Sequence, residues 1–302
     1  DAINLAARLT TGGPERITLD RTTFETSRRQ VECRPLPLLT LKGKEHPVEA
    51  FTPVRMLAAH SSRPDLAGRQ AIVRRLDDGL KDLLSRRDAA PVFHLSGPAG
   101  IGKTALVRAW FAEVAERGVT CHGVSADPFG QTIPFQVWQN LLRALYRLDD
   151  SEASGRDILR HDLARIEQEP GDAELLADWL PDGLGSGFLP QTSDPQDRAR
   201  RTRSLVRRLL AIAGQRGVGI VAIEGIESLD EASRELLREV LQDGLPWMFL
   251  LTSREDRAGD DLSTRAARWE HVPLEPLDIA ACTDLARLRS GRSEEHTSEL
   301  QS

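Results

Sequence analysis

The stretch Gly97-Pro98-Ala99-Gly100-Ile101-Gly102-Lys103-Thr104 matches the pattern G-x-x-x-x-G-K-[ST] at every fixed position. It constrains the fold more than any other segment, because such a loop works only between a strand and a helix. Its logic is physical. Glycines let the backbone curl so that successive N–H groups converge on one phosphate, and the helix that follows adds the positive end of its dipole. Lys103 is placed to neutralise the β- and γ-phosphates, and the Thr104 hydroxyl to ligate Mg²⁺. The flanks supply the required context: Val92-Phe93-His94-Leu95 is a short apolar run suited to a buried strand, and Ala105-Leu106-Val107-Arg108-Ala109-Trp110-Phe111 continues as good helix formers. Gly97 to Ala105 are therefore the candidate nucleotide-binding residues, with ATP and Mg²⁺ as the expected ligands.

A phosphate loop needs an acid elsewhere to hold the metal. Val218-Gly219-Ile220-Val221-Ala222-Ile223-Glu224 is an apolar strand ending in a carboxylate, so Glu224 is the candidate Mg²⁺ ligand and catalytic acid. Around these two segments, strands and helices alternate. Residues 119–125 read as a strand, 137–142 as a helix entered from a turn at Ile133-Pro134-Phe135, 232–241 as an amphipathic helix, 247–254 as a buried strand and 269–274 as one more. Alternation of this kind predicts an α/β domain with a mostly parallel sheet and the nucleotide at the carboxyl ends of the strands. Its expected limits are residues 66–275, opening on a helix to about Ser85 with Ile72, Val73, Leu76, Leu80, Leu83 and Leu84 on one side.

The 302 residues are enough for this domain and part of another, and 40% hydrophobic content is ordinary for a globular chain. A formal charge of −6 argues against nucleic acid as a partner of the whole chain. Locally, Arg198, Arg200, Arg201, Arg203, Arg207 and Arg208 crowd one helix; without interleaved aromatics they read as a solvated face rather than a nucleic-acid surface. No apolar run reaches membrane-spanning length. Cys33, Cys121 and Cys282 are far apart and lack metal-ligand spacing, which points to reduced thiols and a cytoplasmic location. Residues 149–195 carry acidic patches, helical pieces such as Leu175 to Leu180, and loop signals at 183–187.

Ahead of the α/β domain lies a smaller module. Residues 2–9 form a short helix in which Asn4 and Arg8 share a face; a strand at 16–19, a helix capped by Asp20 and reaching Ser27, and strands at 30–35 and 48–53 follow. Residues 1–56 are too few to bury a core alone. Residues 57–65, with Ala58-Ala59-His60-Ser61-Ser62-Arg63-Pro64, read as a linker.

The order Asp1-Ala2-Ile3-Asn4-Leu5-Ala6-Ala7-Arg8-Leu9, Ile17-Thr18-Leu19, and Leu41-Lys42-Gly43-Lys44-Glu45-His46-Pro47-Val48-Glu49-Ala50-Phe51 resembles the C-terminal third of a class III adenylate/guanylate cyclase domain, an α+β ferredoxin-like fold. The resemblance implies that Asn4 orients the ribose, that Arg8 stabilises charge on the transferring phosphoryl group, and that Lys42 is a weaker phosphate contact. It also implies a parent cyclase domain that dimerises. That family's two metal-binding aspartates lie upstream of the motif opening at Asp1, so this part is expected to be incomplete and inactive.

The pair Gly68-Arg69 before the first helix, and the segments at 133–142 and 247–254, resemble STAND and related AAA-type P-loop ATPases fused to bacterial cyclases and large transcriptional regulators. In those proteins a second acid follows the first at once and a His-Trp pair comes shortly after; here Gly225 and Glu227-Ser228 stand at those places, which leaves the water-activating residue open. The polar end of 247–254 resembles their sensor strand, so Arg254 either monitors the γ-phosphate or caps a surface loop. Residues 276–291 resemble the start of a helical lid, beyond which the family carries repeats that take protein partners. Residues 292–302 resemble a translated sequencing-library adapter, and the sequence is read as a fragment.

Overall fold

A computed structural model describes residues 17–28, 31–37, 48–56, 66–85, 90–127, 133–148, 154–166, 171–180 and 194–286. The chain divides into two compact units, residues 1–64 and 65–302.

In the first unit, β1 (Leu19–Asp20), α1 (Arg21–Ser27), β2 (Val31–Pro35) and β3 (Ala50–Met56) form an antiparallel sheet of order β1-β3-β2 with one helix. Asp20 caps α1 as its side chain suggests, accepting from the Thr23 N–H at 2.9 Å. Those hydrogen bonds hold its carboxyl below the usual carboxylate range. The Phe24 ring stacks on Phe51 at 4.0 Å between centroids, which fixes the helix over β3.

The second unit runs α2 (Gln70–Leu84), β4 (Val92–Ser96), α3 (Lys103–Glu116), β5 (Thr120–Ser125), α4 (Gln136–Tyr146), α5 (Ser154–Ile166), α6 (Asp172–Trp179), α7 (Pro195–Gln215), β6 (Gly219–Glu224), a 3₁₀ turn (Ile226–Ser228), α8 (Glu231–Gln242), β7 (Trp247–Ser253), a second 3₁₀ turn (Asp256–Gly259), α9 (Asp260–Ser263) and β8 (Trp269–Pro273). Five strands make one sheet of order β5-β6-β7-β4-β8, every neighbouring pair parallel. Helices cover both faces, which is why the inner strands β4, β6 and β7 are buried along nearly their whole length and read as apolar runs. Alternate residues feed two cores. Ile220, Ala222, Met248 and Leu250 pack with Leu76, Leu80 and Trp110 of α2 and α3, whereas Val221, Ile223, Phe249 and Leu251 pack with Trp138, Leu209, Leu236 and Leu237 of α4, α7 and α8.

Two local expectations change. Leu84 is not on the buried side of α2 but half exposed, because the helix has turned its last residue past the core. The arginines of α7 are not simply solvated: Arg201 and Arg208 both bind the buried Asp172 of α6, Arg198 binds Asp178, and Arg203 and Arg207 bind Glu239 and Asp243 of and just after α8. They fasten neighbouring helices together. α5 is joined in the same way, its buried Asp162 accepting from Tyr146 at 2.8 Å and from Arg216. No helix among the described residues is long and apolar enough to cross a membrane.

Candidate nucleotide-binding site

The loop between β4 and α3 is rooted on both sides. Gly97 N–H donates to the Ser253 carbonyl of β7 at 3.3 Å, and Leu274 N–H donates to the Ser96 carbonyl at 2.8 Å. Gly100 and Gly102 both adopt left-handed φ, +81° and +102°, yet a Cβ at either would meet no protein atom within 4 Å. Backbone conformation, not crowding, requires glycine there. Lys103 Nζ donates to the Gly97 and Pro98 carbonyls at 2.5 and 3.1 Å. Burial pushes this ammonium below its ordinary range; Glu227 and Glu224 oppose that, and Arg254 reinforces it.

Across the strand ends, Thr104 Oγ1 donates to Glu224 Oε2 at 2.7 Å, joining residues far apart in sequence. The contact arises because β6 ends at Glu224, in register with Thr252 of β7. A hydroxyl and a carboxylate side by side are hard oxygen donors of the kind Mg²⁺ takes alongside phosphate oxygens and water, so the residues present fit phosphate with Mg²⁺. Gly225 follows with φ +73°, its N–H donating to the Thr252 carbonyl at 3.0 Å, and the chain turns at once into the 3₁₀ turn. There Glu227 Oε1 accepts from the Arg254 backbone N–H at 3.3 Å and stands 3.7 Å from Arg254 Nε. The Arg254 side chain is itself mostly exposed.

The structure thus brings Gly97 to Ala105, Glu224 and Arg254 to one end of the sheet. Asn4, Arg8 and Lys42 lie outside the described residues.

Two further features belong to the site: one gives Arg69, noted in the sequence only as part of the Gly68-Arg69 pair, a contact, and the other was not singled out. Arg69 Nη2 donates to the Ile101 carbonyl at 3.1 Å, so the segment entering α2 holds the phosphate loop from behind, and burial lowers the Arg69 pKa. Beneath the loop sits a polar cluster. Ser253 Oγ donates to the Glu255 carbonyl at 2.6 Å and therefore accepts from His94 Nε2, at 2.7 Å. Ser96 Oγ donates to Asp256 and so accepts from His271 Nε2 at 2.8 Å. The two imidazoles stack at 5.0 Å. Desolvation, helped by His271, drives the His94 pKa down to about 4. The signal for this cluster was the set of polar residues interrupting apolar strands; the pairing itself joins strands distant in sequence.

A phosphate loop between a central parallel strand and a helix, faced by an acid on a strand one place removed, defines the P-loop nucleoside triphosphatase fold. The AAA ATPase domain profile matches residues 65–250, and the chain belongs to that family. Among solved structures, the chain is similar to Orc1 of Aeropyrum pernix in complex with DNA, with 17% identity over 76% of this chain and 50% of that one and a TM-score of 0.42. It is also similar to the RuvB Holliday junction branch migration motor of Thermotoga maritima, with 13% identity over 76% and 52% and a TM-score of 0.39. Drosophila ORC bound to DNA gives 18% identity over 68% and 42%, with a TM-score of 0.37. The chain spans about half the length of the first structures it matches. No curated protein sequence matches it.

Proposed function

We propose that residues 66–275 are an ATP-binding switch in which ATP and Mg²⁺ together hold one conformation of a multidomain, cyclase-related regulator. The observation that supports this is the Thr104–Glu224 hydrogen bond at the residue after Lys103, a hydroxyl and a carboxylate side by side at the start of α3. The backbone of Gly97 to Thr104 and the Lys103 ammonium bind the phosphates, Ala105 begins the body of the supporting helix, and Thr104 with Glu224 receives Mg²⁺. When bound, Mg²⁺ supplies positive charge at the phosphoryl oxygens. Arg254 senses the γ-phosphate, a role supported by its position just after β7, where Glu227 holds its backbone N–H. A switch needs only that ATP and ADP favour different states, so turnover can be slow.

The parentage belongs to the same proposal. The antiparallel sheet of residues 19–56 supports reading 1–56 as the end of a class III cyclase domain, with Asn4 and Arg8 in its nucleotide site and 57–65 as the linker. Residues 276–291 then begin a lid, which the helical run at 279–286, capped by Asp278, supports.

Titrating the full chain with a fluorescent ATP analogue and Mg²⁺ tests the switch, with phosphate release on the same samples. Saturable binding is expected for the wild type, and a loss of about 100-fold or more for Lys103→Ala, since the main charge opposing the phosphates is gone. A folded wild type that binds no ATP refutes the proposal.

A further inference from the structure

We infer that Glu227, and not the residue after Glu224, is the carboxylate that orients the attacking water for hydrolysis of the γ-phosphate. The inference rests on the nucleotide-site reading above.

Position 225 cannot serve. It is glycine in the left-handed region, φ +73° and ψ 48°, with its N–H tied to the Thr252 carbonyl, and an L-residue there would be strained. That conformation has a consequence two residues on. It turns the chain out of β6 straight into the 3₁₀ turn, and the turn carries Glu227 back over the strand ends. Glu227 is thereby held at the carboxyl ends of β6 and β7, against the Arg254 backbone N–H that follows β7, although only Glu224 ends a strand.

The two oxygens of Glu227 have different fates. Oε1 accepts from the Arg254 backbone N–H. Oε2 is buried and has no hydrogen-bond partner among the described residues. A carboxylate oxygen withdrawn from solvent without a donor is costly unless a ligand or water supplies one. Glu224 differs: its Oε2 is already engaged by Thr104, in the arrangement that suits a metal. One acid is engaged with Thr104, and the other keeps an enclosed oxygen that lacks a donor.

In the step that follows, the water oxygen bonds to the γ-phosphorus as the bond to the β,γ-bridging oxygen breaks, and that electron pair leaves on ADP. The water proton passes to Glu227 Oε2 and from there to the released phosphate, so the carboxylate is regenerated. Because Oε1 also holds the Arg254 backbone, Glu227 keeps the sensor segment in place while Oε2 orients the water.

The test uses the full chain as wild type, Glu227→Gln, Glu227→Asp and Glu227→Gln/Gly225→Glu. Each is read by thermal melting, by affinity for ATP and ADP with Mg²⁺, and by single-turnover phosphate release. Glu227→Gln keeps an oxygen acceptor for Arg254, so its melting temperature is expected to stay within about 3 °C of wild type and its ATP affinity within about threefold, while release slows about 100-fold. Glu227→Asp is expected to retain part of the rate. Adding Gly225→Glu is expected to restore nothing, because that position points its residue along a strained backbone. Wild-type release by Glu227→Gln, rescue by Gly225→Glu, or a wild type that binds ATP but releases no phosphate each overturns the inference. Failure of the wild type to bind ATP is a separate result, which removes the nucleotide-site reading itself.

Discussion

Asp172→Asn tests what the arginines of α7 are for. Asp172 is completely buried at the start of α6, and Arg201 and Arg208 reach it from α7, each at 3.1 Å on a different carboxylate oxygen. The amide keeps the volume but removes the charge, leaving two guanidinium groups facing a neutral partner in a site they occupy at only 19% side-chain exposure. Breaking a buried pair by removing one partner costs about 3–5 kcal/mol, and the residual exposure of the arginines puts this case at about 3. Arg208 also donates to the Ile166 carbonyl, so it does not become wholly orphaned. For a unit of this size about 3 kcal/mol lowers the melting temperature by about 10 °C. The assay is thermal unfolding followed by circular dichroism at two salt concentrations, because a buried pair is screened far less than a surface one. Arg208→Met combined with Asp172→Asn should recover part of the loss, since it removes one uncompensated charge. A melting temperature within about 2 °C of wild type would refute the assignment and return these arginines to the solvated face that the sequence suggests.

Two further outcomes follow from the site. His94 is buried with its pKa near 4 against 6.5 when exposed, so the unfolded chain takes up a proton that the folded chain refuses. Its contribution is present above pH 6.5 and lost as the pH falls toward 4, up to about 3 kcal/mol, and His94→Leu should flatten the stability profile across that window in urea titrations. Gly68 has φ +73°, and a Cβ there would come within 2.8 Å of Ala281 Cβ and Leu277 Cδ2. Gly68→Ala should therefore lower stability by about 1–3 kcal/mol, read as the denaturant midpoint; an unchanged midpoint would show that this junction is loose.

The phosphate loop was legible because everything it needs is contiguous: strand, glycines, Lys103, Thr104 and helix fall within residues 92–116. Glu224 was legible for a similar reason, being the acid at the end of an apolar strand. The Thr104–Glu224 contact required the register of three parallel strands, which no local pattern encodes. Helices α5 and α6 gave weak signals because part of what they bury is charged, Asp162 and Asp172, and their partners Tyr146, Arg201, Arg208 and Arg216 lie on α4, on α7 and just after α7. Glu227 was visible as a departure from a pattern but not as a replacement for it, because its position depends on the left-handed turn at Gly225.

The phosphate loop is tied to the ends of its own domain as well as to β6 and β7. Arg69, at the entry to α2, donates to Ile101, and the residue before it packs against Leu277 and Ala281 at the domain's exit. From the other side, Leu274 donates to Ser96, while His271 and Asp256 both meet the Ser96 hydroxyl. A displacement of Ile101 or Ser96 therefore cannot be absorbed within the loop: it must strain Arg69, whose guanidinium is partly desolvated, or shift the segment 271–281 that shares these bonds. The end of β7 joins the same set of bonds, because Ser253 binds His94 and its neighbour Arg254 is held by Glu227. Packed cores respond to small shifts by stepping between arrangements rather than deforming smoothly. Residues 271–281 are thus joined to the loop through Ser96, the Ser253–His94 bond and the stacked imidazoles.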